Sequence, residues 1–234
     1  MSLSISKTRA PWRNLIDSHL DQTEGYEFTI ATVDHDSQGN PVPRVRTCGF
    51  RGFFPELELH PSGQKDMDQQ VEDGGNPYLY ESDMLAFTTD VRMEKLEQLE
   101  STGNVIEAMF WLKEVMVQWR IKGKAYSIGN PNPESEREYG LRPELFEALR
   151  VKDDYHGDIS GDADKWTWEK AVTKYFANHS PVMRGKLCVS LGLDFCSVSR
   201  LNVQLLPSFM VTGVDQGNPN KSWSCSVTPF PLLS

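Results

Sequence analysis

No stretch of this chain approaches the roughly 18 consecutive apolar residues of a membrane helix, and no signal-type apolar region with a cleavage site stands near its start. A cytoplasmic protein is the expectation. Excess positive charge is also missing: the net charge is −9 and the pI near 5.1, so most of the surface repels a phosphate backbone and broad nucleic-acid binding is excluded. Any phosphate must therefore meet a local basic cluster. Cysteine is sparse. Cys48, Cys188, Cys196 and Cys225 form no CxxC pair and share no metal-ligand spacing with the five histidines, which argues for reduced thiols and against zinc or a disulfide framework. There is no P-loop, no Gly-rich dinucleotide fingerprint and no Ser-His-Asp arrangement. His19, His35, His60, His156 and His179 read as surface residues in helix or loop context.

What is present is enough for one globular domain: 234 residues, 38% hydrophobic and 24% charged. Ala10 to Leu20 predicts a short amphipathic helix, with Pro11 in its first turn and Trp12, Leu15, Ile16 and Leu20 on one face. Glu27 to Asp34 predicts a strand, and His35-Asp-Ser-Gln-Gly-Asn40 a hairpin turn into a second, basic strand over Pro43 to Phe53. His60 to Ser82 has the composition of a solvated loop. Met84 to Thr89 returns to strand and feeds a helix over residues 90–99, with Asp90 placed to cap it. Val105 to Trp111 and Val115 to Ile128 complete an antiparallel meander. Helices are expected over Glu134 to Arg150 and Lys165 to Asn178, with a loop over Asp153 to Asp164.

The composition changes after Gly185. Only Lys186, Asp194, Arg200, Asp215 and Lys221 are charged from there on, and Pro207, Gly213, Gly217 and Pro219 interrupt each candidate element. The chain thus divides into residues 1–185 as one domain and 186–234 as an atypical tail.

Chemistry concentrates in two segments. One carries Arg46 and Arg51; the other reads Thr88-Thr-Asp-Val-Arg-Met-Glu-Lys95. A dianionic phosphate held away from water needs about two positive charges and several donors, which arginine forks, a lysine point charge and threonine hydroxyls supply. The same spacing also suits arginines that keep a sheet edge soluble and a lysine on an ordinary helix surface.

From Ala10-Pro-Trp-Arg13 to about Gly123 the chain resembles the pyridoxamine 5′-phosphate oxidase-like FMN-binding family, in its cyanobacterial-to-fungal branch. Arg46-Thr-Cys-Gly-Phe-Arg51-Gly-Phe53 is similar to the family's first phosphate strand. Phe87-Thr-Thr-Asp-Val-Arg-Met-Glu-Lys-Leu-Glu-Gln-Leu99 is similar to its second phosphate segment, although Glu94 stands where the oxidases often have arginine. Gln118 precedes Gly123 by five residues, as in a third family segment. The resemblance implies a mainly β fold with flanking helices, the FMN-binding split β-barrel. It also implies FMN as cofactor, bound by Arg46, Thr47, Cys48, Phe50, Arg51, Thr88, Thr89, Arg92, Lys95 and Gln118.

By the same resemblance the cofactor lies between two subunits of a homodimer, and Arg51 also meets a substrate phosphate. The implied activity is that of a flavin-dependent oxidoreductase acting on a small substrate, with no nucleic acid or membrane as partner. The alternatives are a pyridoxine or pyridoxamine 5′-phosphate oxidase of vitamin B6 metabolism and a catalytically inactive flavin-binding or interaction module. No catalytic residue is identified. The authentic oxidases end in a strand pair bearing a Trp and basic residues, whereas this tail offers only Trp223. The composition break at Gly185 motivates the expectation of a frameshifted or mis-spliced tail, and those terminal roles do not carry over.

Overall fold

The computed structural model describes residues 8–25, 27–70, 75–90, 92–129, 143, 145–180, 182–184 and 201–215. Its elements in chain order are α1 (Arg13–Asp21), β1 (Glu27–His35), β2 (Pro41–Phe53), α2 (Pro61–Gln70), β3 (Tyr80–Glu81), β4 (Leu85–Asp90), α3 (Glu94–Ser101), β5 (Val105–Leu112), β6 (Val117–Ile128), β7 (Arg150–Val151), α4 (Ile159–Lys165), α5 (Trp168–Ala177) and β8 (Leu201–Asp215). Six strands are hydrogen-bonded in the order β1-β2-β4-β8-β6-β5 as a closed barrel, and β3 and β7 form a separate ribbon. The fold is the mainly β split barrel with flanking helices that the sequence implied. By contacts the chain forms two compact units, each assembled from separated segments: residues 9–50, 93–126 and 206–234 in one, and 1–8, 51–92 and 127–205 in the other.

The first unit is an antiparallel meander. Asp36 closes the β1–β2 hairpin, accepting from the Gln38 and Asn40 backbone N–H groups at 2.8 and 2.9 Å, while Gly39 takes the positive φ of +83° that the turn requires. Ile30 stands opposite Arg46, and Phe28 opposite Cys48. Alternation then sends Phe28, Ile30, Phe50, Ile106, Ala108, Phe110, Trp119 and Ile121 into the core, where Phe110 stacks on Phe28 and meets Phe50 edge-on. Helix α1 buries Trp12 and Ile16 as expected. Leu15 stays exposed, however, and His19 is buried rather than at the surface, because its Nδ1 accepts a 3.1 Å hydrogen bond from the Trp119 indole. A buried indole N–H without an acceptor would cost about 1 to 3 kcal/mol, which is the reason a histidine sits there.

The second unit corrects three expectations. The segment read as a loop contains α2 and β3. Helix α2 is polar overall but buries Met67 and packs on α5, where a Cβ on Gly63 would come within 2.8 Å of the Ala177 carbonyl oxygen. The acidic segment before Asp164 likewise includes α4. Asp90 does not cap a helix: it ends β4 and accepts from the Arg92 backbone N–H, while α3 starts four residues later.

Helix α5 is capped by the Thr167 side chain, which accepts from the Lys170 N–H at 3.2 Å, and Asn76 pairs twice with the Thr167 backbone. Phe54, Tyr80, Phe146, Trp166, Trp168 and Tyr175 form an aromatic cluster. Arg150 is buried against Glu81 at 2.7 Å and Asp83 at 2.8 Å. Of the helix expected over Glu134 to Arg150, residues 143 and 145–147 are helical, and the rest lies outside the described residues or beyond the helix end. In the tail, β8 is a strand, and residues 186–200 and 216–234 lie outside the described residues.

Candidate anion-binding site

Arg46 is carried by β2 on the inner face of the meander, opposite Ile30. One edge of its guanidinium is fixed: Nη2 donates to the Gln98 side-chain oxygen at 2.7 Å. That oxygen also accepts from the Thr32 hydroxyl at 2.7 Å, and the Gln98 amide nitrogen donates to Asp34 at 3.3 Å. Asp34 in turn pairs with Arg44 at 3.0 Å, and its carboxyl is held below the usual range by the His35 backbone N–H first, then by Arg44 and Gln98. The other edge is open. Nη1 of Arg46 is buried and has no hydrogen-bond acceptor among the described residues. Such an N–H on a charged group is costly, at about 1 to 3 kcal/mol or more, until an acceptor arrives.

Lys95 adds a second cation. It lies in the first turn of α3 and is 8% exposed, on the same helix face as Gln98 and Leu99. Cys48, two residues along β2 from Arg46 and hence on the same face, feels both charges. Burial raises its thiol pKa, and the fields of Lys95 and then Arg46 oppose that rise. Arg46, Cys48 and Lys95 are therefore brought together in one place. Phe50 shares this face, but its ring is packed on Phe28 and Phe110.

Gln98 was not singled out from the sequence, where it appeared only as part of the Gln-Leu ending of a motif. The signal available was its spacing: three residues after Lys95, it must share that lysine's helix face.

Thr47 and Gln118 fall elsewhere in the same unit. Thr47 pairs with Thr29 and is exposed, and Gln118 pairs with Trp111. Both belong to the outer face of the meander. That face also carries Val45, Val105 and Trp111, each more than half exposed.

The remaining candidates belong to the other unit. Thr88 is half-buried and the adjacent Thr89 is buried, as successive strand residues must be when only one side is fully covered. Arg92 is 56% exposed on its side chain and forms a bidentate pair with Asp90, at 2.8 and 2.5 Å. His179 lies within electrostatic reach of both Arg51 and Arg184, which the sequence reading did not join to it. His179, read as a surface residue, is half-buried: burial first, then Arg51 and Arg184, bring its pKa down to about 4, and its buried Nε2 has no hydrogen-bond partner among the described residues. Positions 51 and 179 are too far apart in sequence for any local pattern to pair them.

Among the described residues no helix is long and apolar enough to cross a membrane. No curated protein matches the chain. Among solved structures, a pyridoxamine 5′-phosphate oxidase-related, FMN-binding protein from Nostoc punctiforme is 17% identical, covering 95% of this chain and all of its own, with a TM-score of 0.45. A protein from Clostridium acetobutylicum related to general stress protein 26 is 9% identical over 92% of this chain and 94% of its own, with a TM-score of 0.39. PhzG from Burkholderia lata, solved with tetrahydrophenazine-1-carboxylic acid, is 15% identical over 96% and 95%, with a TM-score of 0.36. Residues 9–129, just over half of the chain, match the family described as pyridoxamine 5′-phosphate oxidase, FMN-binding domain. The chain belongs to that family of FMN-binding domains.

Proposed function

We propose that this protein binds FMN with its phosphate on Arg46 and Lys95 and acts as a flavin-dependent oxidoreductase on a small anionic substrate. The observation that carries the reading is the open edge of Arg46: a buried Nη1 donor with no acceptor, oriented by Gln98, with a buried lysine in the same cluster. A phosphate oxygen on Nη1 would satisfy the donor, and Lys95 would balance the second negative charge. FMN, when bound, supplies the two-electron redox chemistry. The side chains described here bind and orient: Gln98 fixes the guanidinium, and Thr32 and Asp34 fix Gln98.

Arg51, His179 and Arg184 favour an anionic substrate, because a group of two arginines and one histidine gains from a negative partner. Protonating His179 would add a third charge to that partner's side. Thr88, Thr89 and Arg92 are further candidates for contacting cofactor, and Thr47 and Gln118 are candidates on the outer face of the meander. A homodimer formed through that face would cover Val45, Val105 and Trp111. A pyridoxine or pyridoxamine 5′-phosphate oxidase is a special case of this reading.

The test is an FMN titration of the full chain and its Arg46→Ala variant, followed by flavin fluorescence. The reading expects saturable quenching by the full chain and affinity at least tenfold weaker in the variant. Equal affinity would remove Arg46 from the site.

A further inference from the structure

Three buried polar side chains of the second unit line one small space, and none has a hydrogen-bond acceptor among the described residues. Tyr175 of α5 is 1% exposed, and its hydroxyl is without a partner. Trp166, two residues before α5, is 7% exposed, and its indole N–H is likewise without an acceptor. Lys174 of α5 is 7% exposed, makes no ion pair among the described residues, and places its Nζ 4.2 Å from the centroid of the Tyr78 ring. The space that these three share measures about 10 Å³, and Asn76, Tyr78 and Tyr80 are also in its wall.

A buried donor without an acceptor is costly, and a buried ammonium most of all. The π face of Tyr78 compensates the Lys174 charge only partly, and Lys152, with its Nζ 5.7 Å from the same centroid, adds a second positive field. The wall does not supply the missing acceptor. The Asn76 side-chain oxygen is engaged by the Thr167 backbone N–H at 2.9 Å, and among the described residues no Asp or Glu lines the space. Glu58, the acid that Lys174 feels, lines a different and larger cavity. The volume is room for about one water-sized species. A water accepts two hydrogen bonds at most and leaves the ammonium charge unbalanced, whereas a monoatomic anion accepts all three and balances it. Burial keeps the Tyr175 hydroxyl protonated, so it donates.

We propose that the space shared by Trp166, Lys174 and Tyr175 binds a single halide-sized anion, which is chloride in ordinary buffers. Phosphate and other polyatomic anions are too large for it. Tyr78 is 51% exposed, so the space has one wall that reaches solvent. The bound ion joins the segment ahead of α5 to the body of that helix, beside the Asn76 and Thr167 hydrogen bonds that hold its start. Neither Arg46 nor Lys95 lines the space, and the site stands whether or not FMN binds.

The experiment is urea denaturation of the full chain at pH 7, with sodium chloride replacing sodium gluconate at fixed ionic strength, because gluconate is too large for the space. An anion that binds only the folded state lowers the unfolding equilibrium constant by the factor 1 + [Cl−]/Kd, about tenfold when chloride stands at ten times Kd. The wild-type chain should show such a saturable fall, and bromide should reproduce it. Tyr175→Phe removes one donor and little volume, and Lys174→Met removes the charge. Each should reduce the fall to less than about twofold at the same chloride concentration, whatever its effect on stability in gluconate. Lys122→Gln, which removes an exposed ammonium, should retain the full fall. No chloride dependence in the wild type, or the same dependence in Tyr175→Phe and Lys174→Met as in the wild type, would mean that water alone fills the space and would overturn the proposal.

Discussion

Two part-buried arginines divide the molecule by purpose. Arg150 meets three carboxylate oxygens from Glu81 and Asp83 within 2.9 Å, so its charge is neutralised by the chain itself. Arg46 meets one neutral oxygen, that of Gln98, and keeps a buried N–H open. Both are basic residues on strands, and composition cannot tell them apart. The difference lies in the partner: a carboxylate completes an arginine and makes it structural, while an amide oxygen orients it and leaves its charge for a ligand.

The largest expected effect comes from breaking the structural member. Arg150→Met removes the guanidinium that Glu81 and Asp83 share, and urea denaturation should show a loss of about 3 to 5 kcal/mol, with FMN affinity of the folded protein unchanged. An equal loss of affinity would mean that the two regions are not separable. Next, Arg46→Ala combined with Lys95→Ala should weaken FMN binding by about 2 to 4 kcal/mol, with about 1.5 to 3 for each charged hydrogen bond as the scale, while changing stability by about 1 kcal/mol or less. A destabilisation as large as that of Arg150→Met would move Arg46 into the structural class.

Acidity sharpens the comparison from another side. His179 has a folded pKa of about 4, below its ordinary value of about 6.5, so between these values the unfolded chain binds more protons. Stability should be full above pH 6.5 and fall by up to about 1.4 kcal/mol per unit as pH drops toward 4. His179→Gln should flatten that slope in chemical denaturation series, and a saturating small anion should reduce it if Arg51, His179 and Arg184 form the substrate site. The smallest effect concerns the outer face: Val45→Lys should leave stability within about 0.5 kcal/mol yet shift the protein from dimer to monomer in sedimentation. A dimer that survives would be built on another surface.

Much of the first unit was legible because its signals are local. The Asp36 to Asn40 turn sets the β1–β2 register, and strand alternation then assigns Arg46 and Cys48 to one face and Thr47 to the other. Trp119 and Ile121 of β6 were likewise readable as one face, and both are fully buried. The second unit was less legible, because its order comes from contacts distant in sequence. Helix α2 has Met67 as its one large buried apolar side chain and depends on the close approach of Gly63 to α5. Asp90 had the residue type of a helix cap, but Arg92, two residues on, engages it as an ion pair instead. Within the site, Arg46 and Lys95 were legible from the motif, and Gln98 was not, because its role depends on Thr32 and Asp34 of another element.

The most direct test of the Arg46–Lys95 site is the visible absorbance spectrum of the purified chain after incubation with FMN and gel filtration. The account predicts flavin bands retained at near one FMN per chain, and lost from the Arg46→Ala, Lys95→Ala double variant. A colourless wild-type protein that also fails to take up FMN, or a double variant that retains it fully, would contradict the account.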